Sequence, residues 1–570
     1  MVVPLRAVAA DVIEVAPVEG DATAAIQAAI DEAARLDGRE VIIKLRPGNY
    51  DISREHASRH LYHISNTASA EENPDRTKHV GLWFRDMKNV TFDGDGTLIV
   101  THGEMTPIVV DGCSGITLRN FTLTAADPSV PEFKVVGVDP HSMTVEITPP
   151  SRYEIDASGN FMFVGEGWRF ADGGRITSYP EFAQVFYPDA NVTLRCESPL
   201  KERHSARSLG ENIVRFEFDR TPDVHVGEIY QLRHGIRNEA CGFFNRSRDI
   251  TIENVEFNFL GNFGLVGQYS ENLTYDNIRC RPRLGSGRTD AGFADFVQMS
   301  GCRGLVRIIN SCFEGAHDDP INIHGTHLRI EEADGENVIK VRFMHGQTYG
   351  FEPFFKDDKV EIVDRHTLNC LAAATVKAVS QVDDYCFQLT LDRPLPRLPE
   401  GYDITDLAVE NVTWTPDVEI RNNYFARIPT RGILITTRGS SVIEDNIFFR
   451  MPMPAILVSD DARGWYESGQ VKSLTIRRNT FIECASPVIA VTPEIDRFDR
   501  PVHSGISILD NRFILKEASA AIRLDAADNV RVAGNVFELP AGKSAAPDTF
   551  VEAVNTSRLT VGDNRTVSTP

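Results

Sequence analysis

Short stretches in which apolar and polar residues alternate recur along the chain, and many of them end in an Asn that is followed two positions later by Phe. The clearest copies of this Asn-x-Phe unit begin at Asn423, Asn446, Asn479, Asn511 and Asn535, at intervals of 23, 33, 32 and 24 residues. Alternation with a period of two is typical of a strand that has one face in a core. A single copy cannot bury that face, whereas stacked copies bury a continuous one, so the pattern predicts a solenoid of parallel strands.

Earlier and less regular copies occupy residues 90–98, 116–121, 251–257, 273–277 and 306–313. In the regular and the less regular units alike, we assign the Asn to a tight turn, because Asn tolerates left-handed backbone conformations, and the aromatic residue to a stack on its neighbours. Both residue types are therefore interpreted as parts of the scaffold and not as ligand contacts.

Near the N-terminus, residues 21–36 carry apolar side chains at helical spacing, with Asp21 as the predicted N-cap and Gly38 closing the far end. A β-branched strand follows and stops at the turn Pro47-Gly48-Asn49-Tyr50. This helix, strand and turn resemble the N-terminal cap of right-handed parallel β-helix proteins of the pectin-lyase-like group. The resemblance implies that the helix covers the open end of the solenoid.

Residues 130–235 and 330–415 interrupt the repeat with hairpin-like alternation, and each has the length of a small antiparallel barrel. The predicted fold is all-β: a right-handed parallel β-helix (solenoid) with an N-terminal capping helix and two inserted small antiparallel β-barrel-like domains. The predicted segments are 1–129 (cap and first coils), 130–235 (first insertion), 236–329 (central coils with the catalytic site), 330–415 (second insertion) and 416–570 (C-terminal coils).

The amino-acid composition limits the classes of partner that this chain can bind. The formal net charge of −22 argues against nucleic acid, because binding to phosphate backbones relies on clustered Lys and Arg, and it argues more weakly against a polyanionic glycan. Apolar residues make up 42% of the chain, and no run approaches the roughly 18 apolar residues that a membrane span needs. A neutral glycan is the substrate class that fits this charge most easily.

The cysteines and the N-terminus bear on location. The nine cysteines are scattered without C-x-x-C pairs, which is typical of reduced core residues. The first twenty residues lack the charged and then apolar layout of a signal peptide. We therefore expect a cytoplasmic protein, or a secreted one whose signal has been removed, and the sequence leaves a homodimer open.

Candidate chemistry is concentrated in two successive repeats. Asp295 and Asp318 are 23 residues apart, which equals the shortest interval of the repeat, and Asp319 follows directly. Adjacent coils lie about 4.8 Å apart, so these carboxylates are predicted to share one pocket. Neighbouring carboxylates raise each other's proton affinity, which keeps one of them protonated near neutral pH.

Such a set suits a glycosidase, in which one acid protonates the leaving oxygen and a carboxylate activates water or attacks the sugar. Inverting enzymes need about 6.5–9.5 Å between the two carboxyls and retaining enzymes about 5–5.5 Å, and the spacing in the sequence does not choose between them. The alternative for Asp318-Asp319-Pro320 is a simple turn.

The histidines that follow allow a second interpretation. His317, Asp318, His324 and His327 could hold a divalent metal, although their spacing matches no standard motif. We favour hydrogen bonding to sugar hydroxyls or orientation of the acids, so neither a metal nor a cofactor is predicted.

Two later stretches combine an acid with aromatic residues, which stack on the apolar faces of sugars. They contribute Glu352, Trp465 and Glu467 as predicted substrate contacts, with Asp460 and Asp461 as weaker candidates in a loop.

Several motifs together resemble glycoside hydrolase family 110, the bacterial α-1,3-galactosidases. They are Pro47-Gly48-Asn49-Tyr50, Tyr62-His63-Ile64-Ser65-Asn66, the Asp295 segment, His317-Asp318-Asp319 with Asn322-Ile323-His324-Gly325-Thr326, Phe343-Met344-His345 leading to Gly350-Phe351, and Trp465-Tyr466-Glu467-Ser468-Gly469. The likeness covers most of the chain, including both insertions, and its most specific part is the His-Asp-Asp segment.

The resemblance implies an inverting exo-hydrolase that needs no metal and removes terminal α-1,3-linked galactose, as in blood-group-B-type or linear α-galactosyl glycans. It places the catalytic acids at Asp295, Asp318 and Asp319. By similarity to the polygalacturonases, which share the fold, Asp318 is the general acid, and Asp295 and Asp319 activate water. The predicted substrate-binding residues are His317, Asn322, His324, His327, Glu352, Trp465 and Glu467.

Two alternatives stay open. A polygalacturonase-like uronide hydrolase or lyase on the same fold would need Arg and Lys along the cleft to hold carboxylates. A non-catalytic glycan-binding β-helix would bind glycans without turnover.

Overall fold

Most strands of the molecule pair in parallel with the strand one coil earlier and the strand one coil later. The computed structural model describes residues 10–36, 38–171, 182–398 and 400–568. Parallel pairing runs from Asp11–Val15, beside Val41–Leu45, to the last coils of the chain. The predicted all-β fold, a parallel β-helix with two antiparallel insertions, is confirmed.

The coils form three parallel sheets, of which the first two are joined by long bent strands. The strands shared by sheets 1 and 2 are Lys88–His102, Ser114–Ala125 and Arg248–Phe257. The other strands of sheet 1 are Asp11–Val15, Val41–Leu45, Glu271–Asp276, Arg303–Ile309, Asp417–Arg421, Ser440–Glu444, Ser473–Arg477, His503–Leu509, Ala527–Ala533 and Ser557–Gly562. The other strands of sheet 2 are Asn49–Ser53, Arg279–Cys280, Cys312–Glu314, Tyr424–Ala426, Ile447–Phe449, Thr480–Ile482, Arg512–Ile514, Val536–Leu539 and Arg565–Ser568.

Sheet 3 carries the functional region described below. Its strands are Thr77–Arg85, with the antiparallel Ser58–Leu61 at its edge, Thr106–Asp111, Gly242–Asn245, Leu265–Gln268, Val297–Ser300, Ile321–Asp334, Ile433–Ile435, Ile456–Val458, Ile489–Val491, Ile522–Asp525 and Val551–Val554.

The interior of the coils is apolar and is lined by a continuous stack of Phe rings. Neighbouring rings lie 4.4–6.3 Å apart between centroids, with planes inclined by 3–27°. The stack consists of Phe296, Phe313, Phe425, Phe448, Phe481, Phe513, Phe537 and Phe550. The Phe of each Asn-x-Phe unit is therefore a scaffold residue, as predicted.

The Asn of the unit forms a buried ladder. The side-chain carbonyl of Asn446 accepts from the backbone N–H and the amide of Asn423, each at 3.0 Å, and its own amide donates to the Ile420 carbonyl at 2.9 Å. Asn479, Asn511, Asn535 and Asn564 repeat this arrangement.

The turn conformation lies one residue earlier than predicted in these coils. Positive φ angles occur at Asn422, Asp445, Arg478 and Asp510, each directly before a ladder Asn. Only the earlier coils place the turn Asn itself in this conformation, as at Asn254 (φ 55°). The prediction of turn Asn residues was thus wrong for the C-terminal units, because their side chains are needed inside the coil to satisfy backbone groups.

We expect Asn446→Ala to lower the free energy of unfolding by roughly 2–4 kcal/mol, because the Asn423 N–H and the Ile420 carbonyl would stay buried without a partner. The measurement is the melting temperature by calorimetry. Asn564→Ala is the matched control, since it removes the same contacts at the partly exposed last rung, where water replaces them. Equal losses in the two variants would contradict a role for burial.

The capping helix runs over Thr23–Ala34 and packs Ile26, Ala29 and Ile30 on the first coils. The helix is shorter than predicted, and its N-cap residue is Ala22, not Asp21. The Asp21 carboxylate still accepts the N–H of Thr23 at 2.9 Å, which explains the signal in the sequence.

The first insertion is an antiparallel sheet with its own apolar core. In spatial order its strands are Val192–Cys196, Phe182–Tyr187, Ile229–Arg233, Glu132–Asp139, Ser142–Ile147, Ile213–Phe218 and Arg203–Gly210, and a smaller sheet contains Arg152–Ile155, Phe161–Val164 and Arg169–Ala171.

The second insertion is a closed antiparallel barrel. In spatial order its strands are Ile321–Asp334, Val338–Arg342, Cys386–Leu391, Cys370–Gln381, Lys359–Asp364 and Leu407–Asn411, which pairs back with the first. Short 3₁₀ helices span Ile404–Asp406 and Pro547–Phe550, and Glu467–Ser468 pairs with residues 325–326. Because Ile321–Asp334 belongs to both sheet 3 and the barrel, it crosses the predicted limit at 329/330; the domain limits themselves stay predictions.

Candidate active site

A cavity of about 450 Å³ opens on sheet 3 between the two insertions, and the three predicted catalytic aspartates line it. Its other lining residues come from the first insertion and the junction after it, from sheet 3 and the segments beside its strands, and from the loop 459–467. They are Asn66, Arg195, Arg237, Asn322, Arg431, Leu434, Thr436, Leu457, Ser459, Asp460, Asp461, Arg463, Gly464, Trp465, Glu467 and Glu494.

The register of sheet 3 stacks three charged residues on successive coils. Val297 pairs with Ile321, and Ile321 pairs with Ile433. Two positions before each of these residues lie Asp295, Asp319 and Arg431, and the Phe296 N–H donates to the Asp319 carbonyl. Asp295 is therefore aligned with Asp319 at a spacing of 24 residues, not with Asp318 as the predicted spacing of 23 implies. The coils bring these carboxyls together as expected, with the register shifted by one.

Asp319 is held by a bidentate ion pair. The Arg431 Nε and Nη2 atoms contact both Asp319 carboxylate oxygens at 2.7–3.0 Å, and the Arg431 backbone N–H donates to Oδ1 at 3.2 Å. Burial raises the pKa of Asp319, an effect that Arg431 opposes. Asp319 is thus a fixed carboxyl, only 2% exposed, whose ionised form depends on Arg431.

Asp295 is 6% exposed at the bottom of the cavity. Burial, and then the charges of Asp318 and Asp319, raise the pKa of Asp295 well above its usual range. The preceding coil approaches its backbone so closely that a Cβ at Gly264 would lie 2.2 Å from the Asp295 carbonyl oxygen. Asp295 therefore retains its proton under conditions where exposed carboxyls have lost theirs.

Asp318 occupies a more open position. Its carboxylate is 24% exposed and pairs with the Arg195 guanidinium at 3.1 Å. Arg195 lies on the strand Val192–Cys196, so the first insertion supplies a charged partner to an acid of the β-helix. The open position leaves Asp318 accessible to a group that enters or leaves through the mouth.

Glu467 faces the aspartates from the loop side. Its Oε1 accepts from the amides of Asn66 at 3.2 Å and Asn322 at 3.3 Å, and the His324 Nε2 lies 3.4 Å away. The His324 Nδ1 donates to the Gly325 carbonyl at 2.7 Å, which fixes the ring beneath Glu467. Asn322 and Glu467 line the cavity, whereas His324 supports them from below.

Trp465 forms part of the rim. Its ring is 46% exposed and packs against His345 of the second insertion, with 4.1 Å between centroids. The Asp461 carboxylate accepts the backbone N–H groups of Arg463, Gly464 and Trp465 and so shapes this loop. Asp461, a weak candidate in the sequence, holds the aromatic rim in place.

Three more predicted contacts lie outside the cavity, in addition to His324. His317 is buried behind it, where burial and then Arg233 and Arg195 lower its pKa well below the usual range. His327 is fully buried against Asp460 at 2.8 Å. Glu352 lies on the surface and pairs with Arg246 at 3.2 Å.

The histidines therefore diverge to separate partners. Among the described residues, no group of three or more His, Cys, Asp or Glu side chains is arranged to hold a metal ion. This argues against the metal site considered for His317, Asp318, His324 and His327.

Sequence reasoning missed the arginines of the site. Arg195, Arg237, Arg431 and Arg463 line the cavity, but none belongs to a motif, and three of them come from outside the central coils. The repeat could have indicated Arg431, because it occupies the position of Asp319 on the next coil. Asn66 belongs to the motif of residues 62–66, and its contact with Glu467 explains why that motif is linked to the site.

The inserted domains and the whole chain match known proteins. The GLAA-B beta-barrel domain I model matches residues 131–229, and the GLAA-B beta-barrel domain II model matches residues 338–404. Alpha-1,3-galactosidase A of Bacteroides thetaiotaomicron is 44% identical over 97% of this chain and 96% of its own. The chain belongs to the α-1,3-galactosidase family.

Other members of the α-1,3-galactosidase family are more distant. Alpha-1,3-galactosidase A of Streptomyces avermitilis is 35% identical over 95% of this chain and 91% of its own, and alpha-1,3-galactosidase B of B. thetaiotaomicron is 31% identical over 86% and 79%. A family 28 exopolygalacturonase of Yersinia enterocolitica superposes only weakly, with a TM-score of 0.37 and 10% identity over 97% of this chain and 78% of its own. None of the helices in the described ranges is both long and apolar enough to cross a bilayer.

Proposed function

We propose that the protein is an exo-acting, inverting glycosidase that releases terminal α-1,3-linked galactose from blood-group-B-type or linear α-galactosyl glycans. The observation that carries the proposal is the convergence of Asp295, Asp318 and Asp319 on one cavity, in a chain of this family. Carboxyls that face one another in a partly enclosed site supply both a proton donor and a base for glycoside hydrolysis.

Within this proposal Asp318 protonates the leaving oxygen. It is the most exposed of the three aspartates and lies toward the mouth, where the remainder of a glycan would leave. Asp295 and Asp319 occupy equivalent positions on adjacent coils, where burial favours a proton on Asp295 and Arg431 favours the ionised form of Asp319. The two carboxyls together hold one negative charge, which activates water for attack on the anomeric carbon.

The segments that wall the cavity support exo-action. The Arg195 hairpin, the Arg237 junction and the Trp465 loop enclose the cavity on several sides, which suits the end of a glycan better than its interior. Glu467, Asn66 and Asn322 offer a carboxylate and amides to sugar hydroxyls, and Trp465 offers an exposed ring to an apolar sugar face.

The charge of the lining favours a neutral sugar over a uronide. Four arginines line the cavity, as a uronide substrate would require, but Arg431, Arg195 and Arg463 are paired with Asp319, Asp318 and Asp496. The acidic lining residues outnumber the arginines; they are Asp295, Asp318, Asp319, Asp460, Asp461, Glu467 and Glu494.

The decisive experiment incubates the protein with α-1,3-galactobiose and follows the products by proton NMR from the first minute, with enough enzyme to outrun mutarotation. We expect β-galactose to appear first and to equilibrate with the α anomer afterwards, because a single displacement inverts the anomeric centre. If α-galactose appears first, the enzyme retains the anomeric configuration and the proposed inversion is wrong.

Two further outcomes would replace the proposal itself. Hydrolysis of polygalacturonate in preference to galactobiose would establish the uronide hydrolase. Saturable glycan binding with no product after long incubation would establish a binding module.

A further inference from the structure

Arg233, the last residue of the strand Ile229–Arg233, is a buried cation enclosed by aromatic rings. It is 3% exposed, its Nη1 donates to the His234 carbonyl at 3.2 Å, and its Nε finds no hydrogen-bond partner among the residues that the structure describes. Within residues 10–36, 38–171, 182–398 and 400–568, no Asp or Glu forms an ion pair with it. Its guanidinium instead lies between the rings of Phe182, at 4.1 Å, and Phe293, at 4.8 Å.

This position is directly behind the catalytic acids. Phe293 precedes Asp295 by two residues, and Phe182 pairs with Arg233 in the sheet of the first insertion. The neighbouring hairpin in that sheet carries Arg195, which contacts the His317 carbonyl and Asp318. The Gln184 amide of the strand between them donates to the Ala316 carbonyl at 3.2 Å. The sheet is thus fixed to the coil that carries Asp318.

Charged and titratable groups face Arg233 from every side. They are Arg237 and His234 on the same junction, Arg195 on the hairpin, and Asp295, His317 and Asp318 on the central coils. Burial, and then Arg237, lower the pKa of Arg233 to about 9, so it stays charged at neutral pH. Burial lowers the pKa of His234 to about 4 and, with Arg233, that of His317 well below its usual range, so both rings are neutral.

A buried cation that forms no ion pair with the described residues costs stability, because no carboxylate among them compensates its lost hydration. Cation–π contacts with two rings offset only part of that cost. Charges kept under such conditions are concentrated at functional sites. Among the described residues, the carboxylates that interact most strongly with Arg233 are those of Asp318 and Asp295.

We propose that Arg233 is a positioning residue that the first insertion supplies to the active site, where its field favours the ionised forms of the catalytic aspartates and sets the pH range of hydrolysis. The inference rests on the proposed hydrolytic function. Arg233 does not line the cavity and acts through Asp318 and Asp295, not on the sugar.

The sign of the effect follows from electrostatics. A nearby cation favours the ionised form of a carboxyl, so its removal favours the protonated forms of the carboxyls that carry the reaction. The acidic and the basic limbs of the pH profile of kcat/KM should therefore both move to higher pH. This direction holds whichever aspartate donates the proton.

The test compares Arg233→Met with Arg233→Lys in the full chain, with kcat/KM for α-1,3-galactobiose measured from pH 4 to pH 9. We expect both limbs of the pH profile of kcat/KM to shift upward by roughly one pH unit in Arg233→Met. Arg233→Lys keeps the charge and should restore the limbs to within a few tenths of a unit. Melting temperatures over the same pH range separate unfolding from titration.

Phe182→Ala provides a second test in case Arg233→Met does not fold. Phe182 is on the surface of the first insertion, and its removal admits water to the guanidinium, which screens the field. We expect a smaller shift in the same direction. If the variants have lower melting temperatures while their pH profiles of kcat/KM superpose on that of the parent protein, Arg233 has only a structural role.

The two failures are distinguishable. If the proposed function is wrong, the parent protein releases no galactose at any pH. If only the inference is wrong, galactose is released, and the profile of Arg233→Met is unshifted.

Discussion

We expect Asp318→Asn to lower kcat/KM for α-1,3-galactobiose by roughly 10²–10⁴-fold and to leave hydrolysis of α-galactosyl fluoride within about tenfold of the parent protein. The difference arises because a sugar leaving group must be protonated, whereas fluoride departs without a proton. The isosteric amide keeps the contact surface near Arg195, so the fold is retained. The measurement is initial-rate kinetics on both substrates at the pH optimum.

The matched variants are Asp295→Asn and Asp319→Asn. Each removes one of the two carboxyls that activate water, so we expect activity on both substrates to fall to a similar extent. Circular dichroism and melting temperatures verify folding. If Asp295→Asn, and not Asp318→Asn, spares the fluoride, the acid is Asp295; full activity of all three variants on galactobiose would exclude aspartate catalysis.

Arg431→Met has the second large effect. It leaves the buried Asp319 carboxylate without its bidentate partner, which costs about 3 kcal/mol in the free energy of unfolding. Asp319 escapes part of this cost by taking up a proton. We therefore also expect kcat/KM to fall by at least about 10²-fold at neutral pH, because the protonated pair no longer activates water.

The loss of stability in Arg431→Met depends on pH. Burial already raises the pKa of Asp319, and Arg431 opposes that rise, so without Arg431 the folded-state pKa moves further above the unfolded value. A carboxyl with a raised folded-state pKa destabilises the folded state increasingly as pH rises above the unfolded value. The difference in melting temperature between variant and parent should be small near pH 4.5 and large near pH 7.5.

Arg307→Met is the control for this experiment. Arg307 pairs with Glu419 at 2.7 Å and joins the same two coils on sheet 1, but both side chains are 35% exposed. Breaking such an exposed pair changes stability by about 0–1 kcal/mol and should not affect activity. A pH-independent loss in Arg431→Met, equal to that in Arg307→Met, would contradict the role assigned to Asp319.

The repeat in the sequence was sufficient to predict the architecture. Alternation with a period of two and the Asn-x-Phe unit describe interactions between one coil and the next, and such nearest-neighbour contacts are readable without knowing the distant parts of the chain. The stack from Phe296 to Phe550 follows directly from this, whereas the buried Asn ladder does not, because the pattern assigned each Asn to a turn. The two insertions were visible as the regions where the unit is missing.

The aspartates of the site were also accessible to sequence reasoning, because one coil separates Asp295 from Asp319 and coil lengths can be counted. The one-residue difference in register could not be predicted from the sequence, since it depends on the irregular segment 286–296 that precedes the strand Val297–Ser300. Side-chain direction was equally hidden. His317 and His327 share the site segment with Asp318, but the tertiary structure buries both of them behind the cavity.

The sequence by itself therefore determined the fold, its insertions and the acids of the site. Only the tertiary structure decided which cations surround those acids. Arg431 follows Asp319 by 112 residues because the second insertion lies between neighbouring coils. Arg195 pairs with Asp318 from the first insertion, which also supplies the buried charge of Arg233. Contacts within a repeat have a constant spacing along the chain, whereas contacts across insertions depend on how separately folded units dock, and no periodicity encodes that.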